Sequence, residues 1–456
     1  MHKILRGDVR SFSRHYRGEK FHAMVCDPPY ELGFMGKDWD KTGIVFDPET
    51  WAGLCEHLHP GGFGMAFASS RGWHRLAVAI EDAGLRIHPS IFGWVFGSGF
   101  PKATRIDTQI DKAAGVEREV VGQSNSGMVR INKRNAELGY RESDYKEAHS
   151  NDITAPSTDL ARAWEGHRYG LQAMKPALEP IIVFQKPYAG KPVESIVETG
   201  AGALNIDGAR IPLNGDYKCG ANGRPSQTGL GDKYDSDKAN LHSEVGRWPA
   251  NFYVDEEAAA RLGEQSGELG TGGPSSSKKG KFSGVVFSDS LKAPAGAMPK
   301  YDRGGTAARF FFNVNRQIDE ADPVMYQAKA SRKERDAGLD EFDLSDAPGS
   351  KRSKPAPGRK NALGEPRRNA HPTVKPIDLC RWLATLLLPP AEYGPRRILV
   401  PFSGSGSEMI GAHLAGWEEI VGIEMDRDYV NMAKARMAYW TTRPEQGEFG
   451  FWLHHP

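Results

Sequence analysis

Residues 396–424 constrain the fold more than any other part of the chain, because they join two apolar runs through a glycine-rich turn. Residues 396–400 read as a strand that enters a turn at 401–406, where glycines at alternate positions let the backbone approach a ligand and present N–H groups. Residues 407–414 have the composition of a helix, and residues 419–424 read as the next strand. Strand, turn, helix and strand in this order predict an α/β fold.

The spacing inside this segment predicts a nucleoside site. Glu424 stands eighteen residues beyond Gly406. That is near the distance of roughly 20 residues at which an acidic strand end binds the ribose hydroxyls of a nucleoside cofactor. The segment by itself also fits a tight turn without a ligand, or the cofactor unit of a nicotinamide dehydrogenase. Motifs elsewhere in the chain have to decide among these three interpretations.

Asp27-Pro28-Pro29-Tyr30 follows the apolar run Phe21 to Cys26, which reads as a short buried strand. The prolines stop the strand and fix the backbone. They also remove two amide donors, so the backbone at these two positions offers only hydrogen-bond acceptors. An exocyclic amino group has two protons, which Asp27 and the Pro28 carbonyl could accept while Tyr30 stacks on the base. The same tetrapeptide is also typical of an ordinary strand-end turn.

With a third motif, His371-Pro372-Thr373-Val374-Lys375-Pro376, these segments resemble the amino-methylating DNA methyltransferases. In the beta arrangement of that family the catalytic tetrapeptide comes first, a target-recognition region follows, and the cofactor half comes last. This chain has the same order. The resemblance covers about residues 1–112, 165–190 and 371–456, and three ordered motifs are more specific than any one of them. It implies a doubly wound α/β, Rossmann-like core that is circularly permuted and carries an inserted target-recognition region, with S-adenosylmethionine as cofactor.

The resemblance implies a role for each matched residue. Asp27 and Pro28 would hold the target amino group, with Pro29 as the third residue of the catalytic tetrapeptide. Tyr30 would stack on the extruded base, and Glu424 would bind the ribose hydroxyls. The other residues implied to contact S-adenosylmethionine are Asp8, Asp27, Thr373, Lys375, Pro401, Phe402, Gly404, Ser405 and Gly406.

Several of these residues have ordinary alternatives. Asp8 resembles the acid that accepts a hydrogen bond from the cofactor's adenine amine, yet a Gly-Asp pair is also a common turn. Lys375 matches the segment at the methionine end, although it could be a solvated charge beside a helix start. Many family members carry an acid where this chain has Val400. Asp27 or Glu408 could replace that acid, and Glu408 also suits an ordinary helix N-terminus.

The middle of the chain departs from the core pattern. Residues 113–164 are predicted to be an insertion between paired strands, and residues 165–190 to return a core strand beside the one that holds Trp94. Residues 191–370, rich in glycine and polar residues, are the predicted target-recognition region. Trp94 could wall the base pocket, although an aromatic residue in a strand is more often part of a core.

Basic side chains in the middle region suit contacts with phosphates. They include Lys278 and Lys279, and a run that begins with Lys351 and Arg352; a solvated, flexible linker explains that run equally well. The whole chain has 59 basic and 58 acidic residues and a net charge of +1. Nucleic-acid binding would therefore depend on local patches of positive charge.

Cap and turn residues predict the remaining core elements. A helix is expected from Asp47 through Leu58, ended by Pro60-Gly61-Gly62, and a buried strand is expected from Gly64 to Ala68. A helix over 73–83 and a single strand over 87–96 follow.

The cysteine spacing and the length of the apolar runs argue against several classes of protein. Cys26, Cys55, Cys219 and Cys380 are isolated, which argues against a zinc site and a disulfide framework. The chain has no Pro-Cys dipeptide, so methylation at carbon 5 of cytosine is not indicated. No stretch reaches the roughly 18 apolar residues of a membrane span, and the N-terminus lacks a signal-peptide core. A cytoplasmic protein without a metal is expected.

These patterns together predict methyl transfer to an amino group in double-stranded DNA after base flipping. Adenine N6 is the first choice, because Asp at the first position of the tetrapeptide is commoner among the adenine enzymes of the family. Cytosine N4 is the alternative, and RNA is an alternative substrate. A nucleic-acid-binding protein with a degenerate core is a hypothesis of another class. Relatives in the beta arrangement are often dimers, so a homodimer is one expected partner. A restriction nuclease encoded elsewhere is one alternative, beside protection of a phage genome and solitary regulation.

Overall fold

The computed structural model describes residues 2–32, 40–96, 101–123, 152–211, 248–254, 256–267, 312–313, 330, 332–344, 368–369, 371 and 373–442. These residues form two compact units. The large unit takes its described residues from within 1–98, 178–349 and 367–456, and the small unit takes them from within 99–177.

Strands and helices alternate through most of the described chain. The strands are β1 (His2–Arg6), β2 (Phe21–Cys26), β3 (Leu58–Phe67), β4 (Arg86–Ile87), β5 (Phe92–Val95), β6 (Lys102–Arg105), β7 (Val120–Gln123), β8 (Asp152–Thr154), β9 (Arg168–Gln172), β10 (Leu178–Gln185), β11 (Phe252–Val254), β12 (Phe312–Asn313), β13 (Arg397–Pro401) and β14 (Glu419–Glu424). The helices are α1 (Val9–His15), α2 (Pro48–Glu56), α3 (Trp73–Asp82), α4 (Ile106–Ala113), α5 (Asp159–Ala163), α6 (Pro192–Thr199), α7 (Glu256–Ser266), α8 (Arg332–Asp336), α9 (Ile377–Leu386), α10 (Ser407–Leu414) and α11 (Arg427–Thr441).

One sheet organises the large unit. Among the described residues its strands lie in the order β1-β14-β13-β2-β3-β10-β5-β11-β12, and β4 also pairs with β10. The strands from β1 to β3 in this order are parallel, whereas β10 is antiparallel to both β3 and β5. Strands from the end of the chain thus lie beside strands from its beginning, and Ile398 of β13 pairs with Ala23 of β2.

The connections turn in opposite directions at β13 and β2. From β13 the chain passes through α10 to β14 on one side, and from β2 it passes through α2 to β3 on the other. Open parallel sheets bind ligands outside the carboxyl ends of the strands at such a switch point. Residues 27–30 and 402–406, which follow these two strands, therefore begin at the same edge of the sheet.

Helices cover both faces of this sheet. In β2, Ala23 and Val25 pack in one apolar cluster with α9, α10 and α11, whereas Met24 and Cys26 pack in another with α1, α2 and α3. Successive side chains of a strand point to opposite faces, and burial on both faces explains an apolar run without alternation. These layers confirm the predicted α/β class.

One predicted helix boundary is wrong. α2 ends at Glu56, and residues 60–62 belong to β3 instead of ending the helix. The pairing of β3 with β2 shifts register across these residues. Gly61 has a φ of 79°, and a Cβ on Gly62 would lie 2.9 Å from the carbonyl oxygen of His22. Glycine at these positions allows the strand to bulge. Because glycines also commonly end helices, the sequence could not distinguish a helix end from a strand bulge.

The predicted single strand over 87–96 is also wrong. This part of the chain forms two separate strands, β4 and β5, which both pair with β10. Pro89 lies between them and cannot donate an amide hydrogen to a strand ladder. Within residues 165–190, the predicted returning segment, β10 lies beside β5 and pairs Glu179 with Trp94.

The small unit consists of two antiparallel strand pairs and two helices among its described residues. β6 pairs with β9 and β7 with β8, and α4 packs against α5. The unit begins before the predicted insertion at 113–164 and ends after it, because the pairing of β6 with β9 brackets that segment. Throughout the described residues, every helix is too short or too polar to traverse a bilayer.

An ion cluster forms the buried centre of the small unit. Asp107 and Asp111 of α4 are almost fully buried, and Arg118 bonds to both, with 2.9 Å from its Nη2 to Asp107 Oδ2. Asp111 also accepts hydrogen bonds of 3.0 Å from the backbone N–H groups of Ser157 and Thr158. These bonds join α4 to the start of α5.

Candidate active site

A cavity of about 720 Å³ lies at the carboxyl edge of the sheet in the large unit. Sites for small molecules typically have volumes of roughly 300–1,000 Å³. The predicted site residues that line it are Asp8, Asp27, Pro28, Pro29, Tyr30, Trp94, Thr373, Lys375, Phe402 and Glu424. The structure thus brings the three sequence motifs to one place from opposite ends of the chain.

The turn after β13 has a backbone that few sequences permit. Phe402, Gly404 and Gly406 have left-handed φ values of 57°, 49° and 85°. A Cβ on Gly404 would lie 2.8 Å from Nε2 of His371, so glycine is needed there for space as well as for conformation. A left-handed conformation at Phe402 costs about 1–3 kcal/mol, and strain of this kind is typical of ligand sites.

Glu424 ends β14 and holds this turn. Its Oε2 accepts a hydrogen bond of 2.9 Å from the backbone N–H of Gly404, and its Oε1 accepts one of 2.8 Å from Asp426. Burial raises the pKa of Glu424. A carboxylate can accept about four hydrogen bonds, so two hydroxyl donors could still bind. The geometry therefore leaves room for the ribose role that the sequence predicts.

Asp8 has a structural task as well as a place in the cavity wall. It caps α1 by accepting a hydrogen bond of 2.8 Å from the backbone N–H of Arg10. Its carboxylate also pairs with the Arg10 guanidinium at 3.1 Å, and the side-chain bond to Arg10 lowers the pKa of Asp8. Any cofactor contact would be made by a carboxylate that is already held in place.

His371 supports the loop before α9. Thr373 donates its backbone N–H to His371 Nδ1 at 3.3 Å, which assigns the ring proton to Nε2 beside Gly404. Burial lowers the pKa of His371 to about 3, with Arg335 and Lys375 adding to the effect, so the imidazole is neutral. The ring also contacts Tyr429 edge to face, with 4.5 Å between the ring centres.

Lys375 is a buried ion-pair partner and not a solvated surface charge. Its Nζ lies 2.6 Å from Asp27 Oδ2, and the two side chains are 4% and 7% exposed. Burial alone would lower the pKa of Lys375, but Asp27 and Glu179 raise it above its ordinary value. Burial raises the pKa of Asp27, although Lys375 opposes the rise. Asp27 Oδ1 is buried and accepts no hydrogen bond from a described residue.

Glu179 completes this cluster, and the sequence did not predict it. Its Oε1 lies 3.0 Å from Lys375 Nζ and accepts the hydroxyl proton of Tyr30. Lys375 Nζ is also 3.2 Å from the Tyr30 hydroxyl oxygen. Burial raises the pKa of Tyr30, and Asp27 and Glu179 add to the rise, so the phenol remains a donor. An acid inside an apolar strand was the one signal that could have revealed Glu179.

Trp94 belongs to the core and also reaches the cavity. Its side chain is 3% exposed and belongs to an apolar cluster of the core, and it also lines the cavity. Because Trp94 and Glu179 are paired directly across β5 and β10, their side chains lie on the same face of the sheet.

A smaller cavity adjoins Asp27, and Glu408 lines it. Glu408 is one of the two acids that could replace the acid missing at Val400. Val400 itself is fully buried in an apolar cluster. Glu408 is 5% exposed and lines the smaller cavity with Asp27 and Lys375. Burial raises the pKa of Glu408 to about 7, with Asp27 adding to the rise and Lys375 opposing it. Glu408 forms no ion pair with a described residue.

Four predicted cofactor residues do not line the larger cavity, and two of them, Gly404 and Ser405, line the smaller one. Pro401 is the buried last residue of β13. Ser405 accepts a hydrogen bond of 3.0 Å from Asn369 through its hydroxyl, so its side chain is engaged in the protein interior. Gly406 immediately precedes α10, and a Cβ there would lie 3.1 Å from the Cβ of Ala433. These residues shape the turn.

The basic residues predicted to contact DNA, Lys278, Lys279, Lys351 and Arg352, lie outside the described residues. So do Cys219 and most of the 191–370 region. Cys26, Cys55 and Cys380 are buried free thiols. Within the described ranges, no group of three or more His, Cys, Asp or Glu side chains could hold a metal ion.

No protein-family model matches the chain, and no curated protein matches it either. Among solved structures, the chain is similar to the M1.HpyAVI-SAM complex at 13% identity, covering 96% of this chain and 99% of the other, with a TM-score of 0.34. It is similar to TTHA0409 from Thermus thermophilus, complexed with S-adenosyl-L-methionine, at 12% identity, with coverages of 96% and 94% and a TM-score of 0.35. It is also similar to the PvuII DNA methyltransferase (cytosine-N4-specific) at 10% identity, with coverages of 95% and 86% and a TM-score of 0.37. Similarities this low carry no argument, so the function proposed below depends on the site.

Proposed function

We propose that the protein is an S-adenosylmethionine-dependent methyltransferase that acts on the N6 amino group of adenine in double-stranded DNA. One observation carries the proposal: Lys375 Nζ and Asp27 Oδ2 are 2.6 Å apart at the switch point of the sheet. This buried pair joins the tetrapeptide after β2 to the loop before the cofactor half. It leaves the second oxygen of Asp27 as a buried acceptor without a partner among the described residues.

The residues present fit S-adenosylmethionine. When bound, it would supply an electrophilic methyl group on a positively charged sulfur. Glu424 would accept the ribose hydroxyls through the acceptor positions that its two backbone contacts leave free. Asp27 and Glu408, both buried beside the turn, would balance the charge of the methionine ammonium. Thr373 lines the same region and suits the methionine carboxylate, and Lys375 adds positive charge there while its protons bind Asp27, Glu179 and Tyr30.

The tetrapeptide would act on the nucleophile. An aromatic amine reacts poorly because its lone pair is delocalised into the ring. Asp27 Oδ1 and the Pro28 carbonyl would each accept a hydrogen bond from the amino group, which draws the nitrogen toward tetrahedral geometry and directs its lone pair at the methyl group. The one proton that the methylated nitrogen then loses would pass to Asp27 or to water. Tyr30 would stack on the base, with Trp94 as a wall. Extrusion of the base from a duplex costs about a few kcal/mol, which phosphate contacts would offset.

Adenine is proposed ahead of cytosine because of the resemblance at Asp27. Both bases present an amino group beside a ring nitrogen acceptor, so the acceptor pair of the tetrapeptide suits either one. Cytosine N4 is therefore the second candidate target. The fold and the chemistry proposed here are the same for both.

The test is incubation of the purified protein with unmethylated genomic DNA and methyl-labelled S-adenosylmethionine, followed by nucleoside chromatography. We expect label in N6-methyladenine, and we expect Asp27→Ala to abolish it. Label in N4-methylcytosine would overturn the choice of base and keep the reaction class. No label on DNA, despite binding of the cofactor, would overturn the proposal; a parallel incubation with RNA would then separate an RNA enzyme from a non-catalytic binder.

A further inference from the structure

Glu179 is the one member of the buried ion cluster that lies outside the three sequence motifs. It is the second residue of β10, which returns antiparallel beside β3, and its side chain reaches the cavity. Its side chain is 18% exposed. A partly buried acid in an apolar strand is costly unless it is paired, so its position calls for an explanation.

The contacts of Glu179 fix two other side chains at once. Its Oε1 accepts a hydrogen bond from the Tyr30 hydroxyl and lies 3.0 Å from Lys375 Nζ. Lys375 has three protons to donate, and Asp27, Glu179 and Tyr30 are all within hydrogen-bond distance of it. The ammonium group is thereby shared between two carboxylates, one just after β2 and one on β10.

This sharing determines which part of Asp27 remains available. Lys375 contacts Oδ2 of Asp27, and Oδ1 accepts no hydrogen bond from a described residue. If Glu179 did not also bind Lys375, the ammonium could centre itself on the Asp27 carboxylate and occupy both oxygens. If both oxygens of Asp27 were occupied, neither could accept a hydrogen bond from a substrate amine.

We propose that Glu179 is a positioning residue of the methyl-transfer site, which holds Lys375 on one oxygen of Asp27 and keeps the Tyr30 ring in place. The inference rests on the function proposed above. Glu179 does not contact the reacting atoms. It acts through Lys375, which sets the free oxygen of Asp27, and through the Tyr30 hydroxyl, which sets the plane on which the base stacks.

The charge of Glu179 gives this role a signature that a purely structural role lacks. Asp27 is faced by Lys375, Glu179, Tyr30 and Glu408. After burial and the opposing effect of Lys375, Glu179 is the next cause that raises the pKa of Asp27. Removing the charge of Glu179 should therefore lower that pKa. The acidic limb of the pH profile for kcat should then move to lower pH.

The decisive variant is Glu179→Gln, which keeps the shape of the side chain and can still accept the Tyr30 proton. We expect kcat to fall by about tenfold to a hundredfold, as for a small misplacement of reacting groups, while the Kd for S-adenosylhomocysteine stays within about twofold. The acidic limb of the pH profile should shift downward. Glu198→Gln, at an exposed glutamate of α6 in the same unit, is the matched control and should reproduce wild-type kcat and pH profile.

A double-mutant cycle of Glu179→Ala, which removes the acceptor of the Tyr30 hydroxyl, with Tyr30→Phe tests the proposed path. Phenylalanine keeps the stacking ring and removes the hydroxyl that Glu179 holds, so the combined loss should be smaller than the product of the two single losses. Wild-type protein that fails to label DNA would overturn the proposed function and this inference with it. Wild-type activity with a Glu179→Gln enzyme that behaves like Glu198→Gln would overturn only the inference. If Glu179→Gln lowered kcat, cofactor affinity and melting temperature together, the inference would also be overturned, because such a result would indicate disruption of the fold.

Discussion

Two buried ion clusters, one in each unit, are built from the same kinds of group. Each places one cation between two carboxylates. The groups are Arg118 with Asp107 and Asp111 in the small unit, and Lys375 with Asp27 and Glu179 in the large unit. The difference between them lies in how the carboxylate oxygens are used.

In the small unit the acceptors are satisfied. Both oxygens of Asp111 accept hydrogen bonds, from Arg118, Ser157 and Thr158. In the large unit Asp27 Oδ1 accepts none from a described residue. A buried acceptor without a partner costs about 1–3 kcal/mol, so the large unit keeps its site at the expense of stability.

The pKa shifts of the two clusters follow the same division. Burial would raise the pKa of Asp107, but hydrogen bonds from Arg105 and Arg118 outweigh it and the pKa is lowered. The pKa of Asp27 is raised, because burial is not fully offset by Lys375. The small cluster therefore stabilises its unit, whereas the large cluster holds a carboxylate ready for a further hydrogen-bond donor.

The largest effect is expected from Asp27→Ala. Removal of the proposed amino-group acceptor should lower kcat by about a thousandfold or more, the loss that removal of a positioned charge-stabilising group typically causes. Single-turnover methylation of DNA measures it, with melting temperature as a check on folding. Asp27→Asn, which keeps the shape and one acceptor, should retain more activity than alanine; equal activity of all three proteins would contradict the proposed role.

Arg118→Met tests the stabilising cluster. It would leave Asp107 and Asp111 buried without their shared cation, which should cost about 3–5 kcal/mol. Native-state hydrogen exchange of the α4 amides measures this loss. The control is Arg162→Met, which removes an exposed pair with Asp159 and should cost less than about 1 kcal/mol. Similar losses in both variants would show that the buried cluster contributes no more than a surface pair.

Lys375→Met should reduce activity less than loss of Asp27, and in a pH-dependent way. Lys375 lowers the pKa of Asp27, so without it that pKa rises further and the carboxylate stays protonated to higher pH. The acidic limb of the kcat profile should then move to higher pH, opposite to the shift expected for Glu179→Gln. We expect kcat near neutral pH to fall by about tenfold to a hundredfold. Shifts of the two variants in the same direction would break the charge-sharing account.

The smallest effect is expected from Glu408→Gln. With a pKa of about 7, Glu408 is mostly protonated below neutral pH and mostly ionised above it. A cationic cofactor prefers the ionised form, so affinity for S-adenosylmethionine should rise across about pH 6 to 8 in the wild type, by at most about tenfold. Titration calorimetry at three pH values measures the slope. The glutamine variant should lose the slope, and Glu198→Gln should keep it.

Local elements of the fold were predictable because their residues carry the necessary information. β2, α10 and β14 have the predicted bounds, since apolar runs and glycines mark them directly. The bulge at Gly61 was not predictable, because its conformation is selected by pairing with a neighbouring strand. The break at Pro89 was legible in the sequence, but only the pairing with β10 shows that strands continue on both sides of it.

The order of residues along the chain was enough to locate the groups that carry chemistry and the element that each one begins or ends. Asp27 follows a buried strand, Gly404 and Gly406 lie in a turn, and Glu424 ends a strand. Turns and strands such as these follow from local stereochemistry, which neighbouring residues control.

Three features required the folded chain: the burial of Lys375 against Asp27, the engagement of Ser405 in the interior, and the place of Glu179 in the ion cluster. Lys375 and Asp27 are far apart in the sequence, and Glu179 comes from a third segment. An ion cluster of this kind depends on which strands become neighbours in the sheet, and the packing of the whole unit decides that.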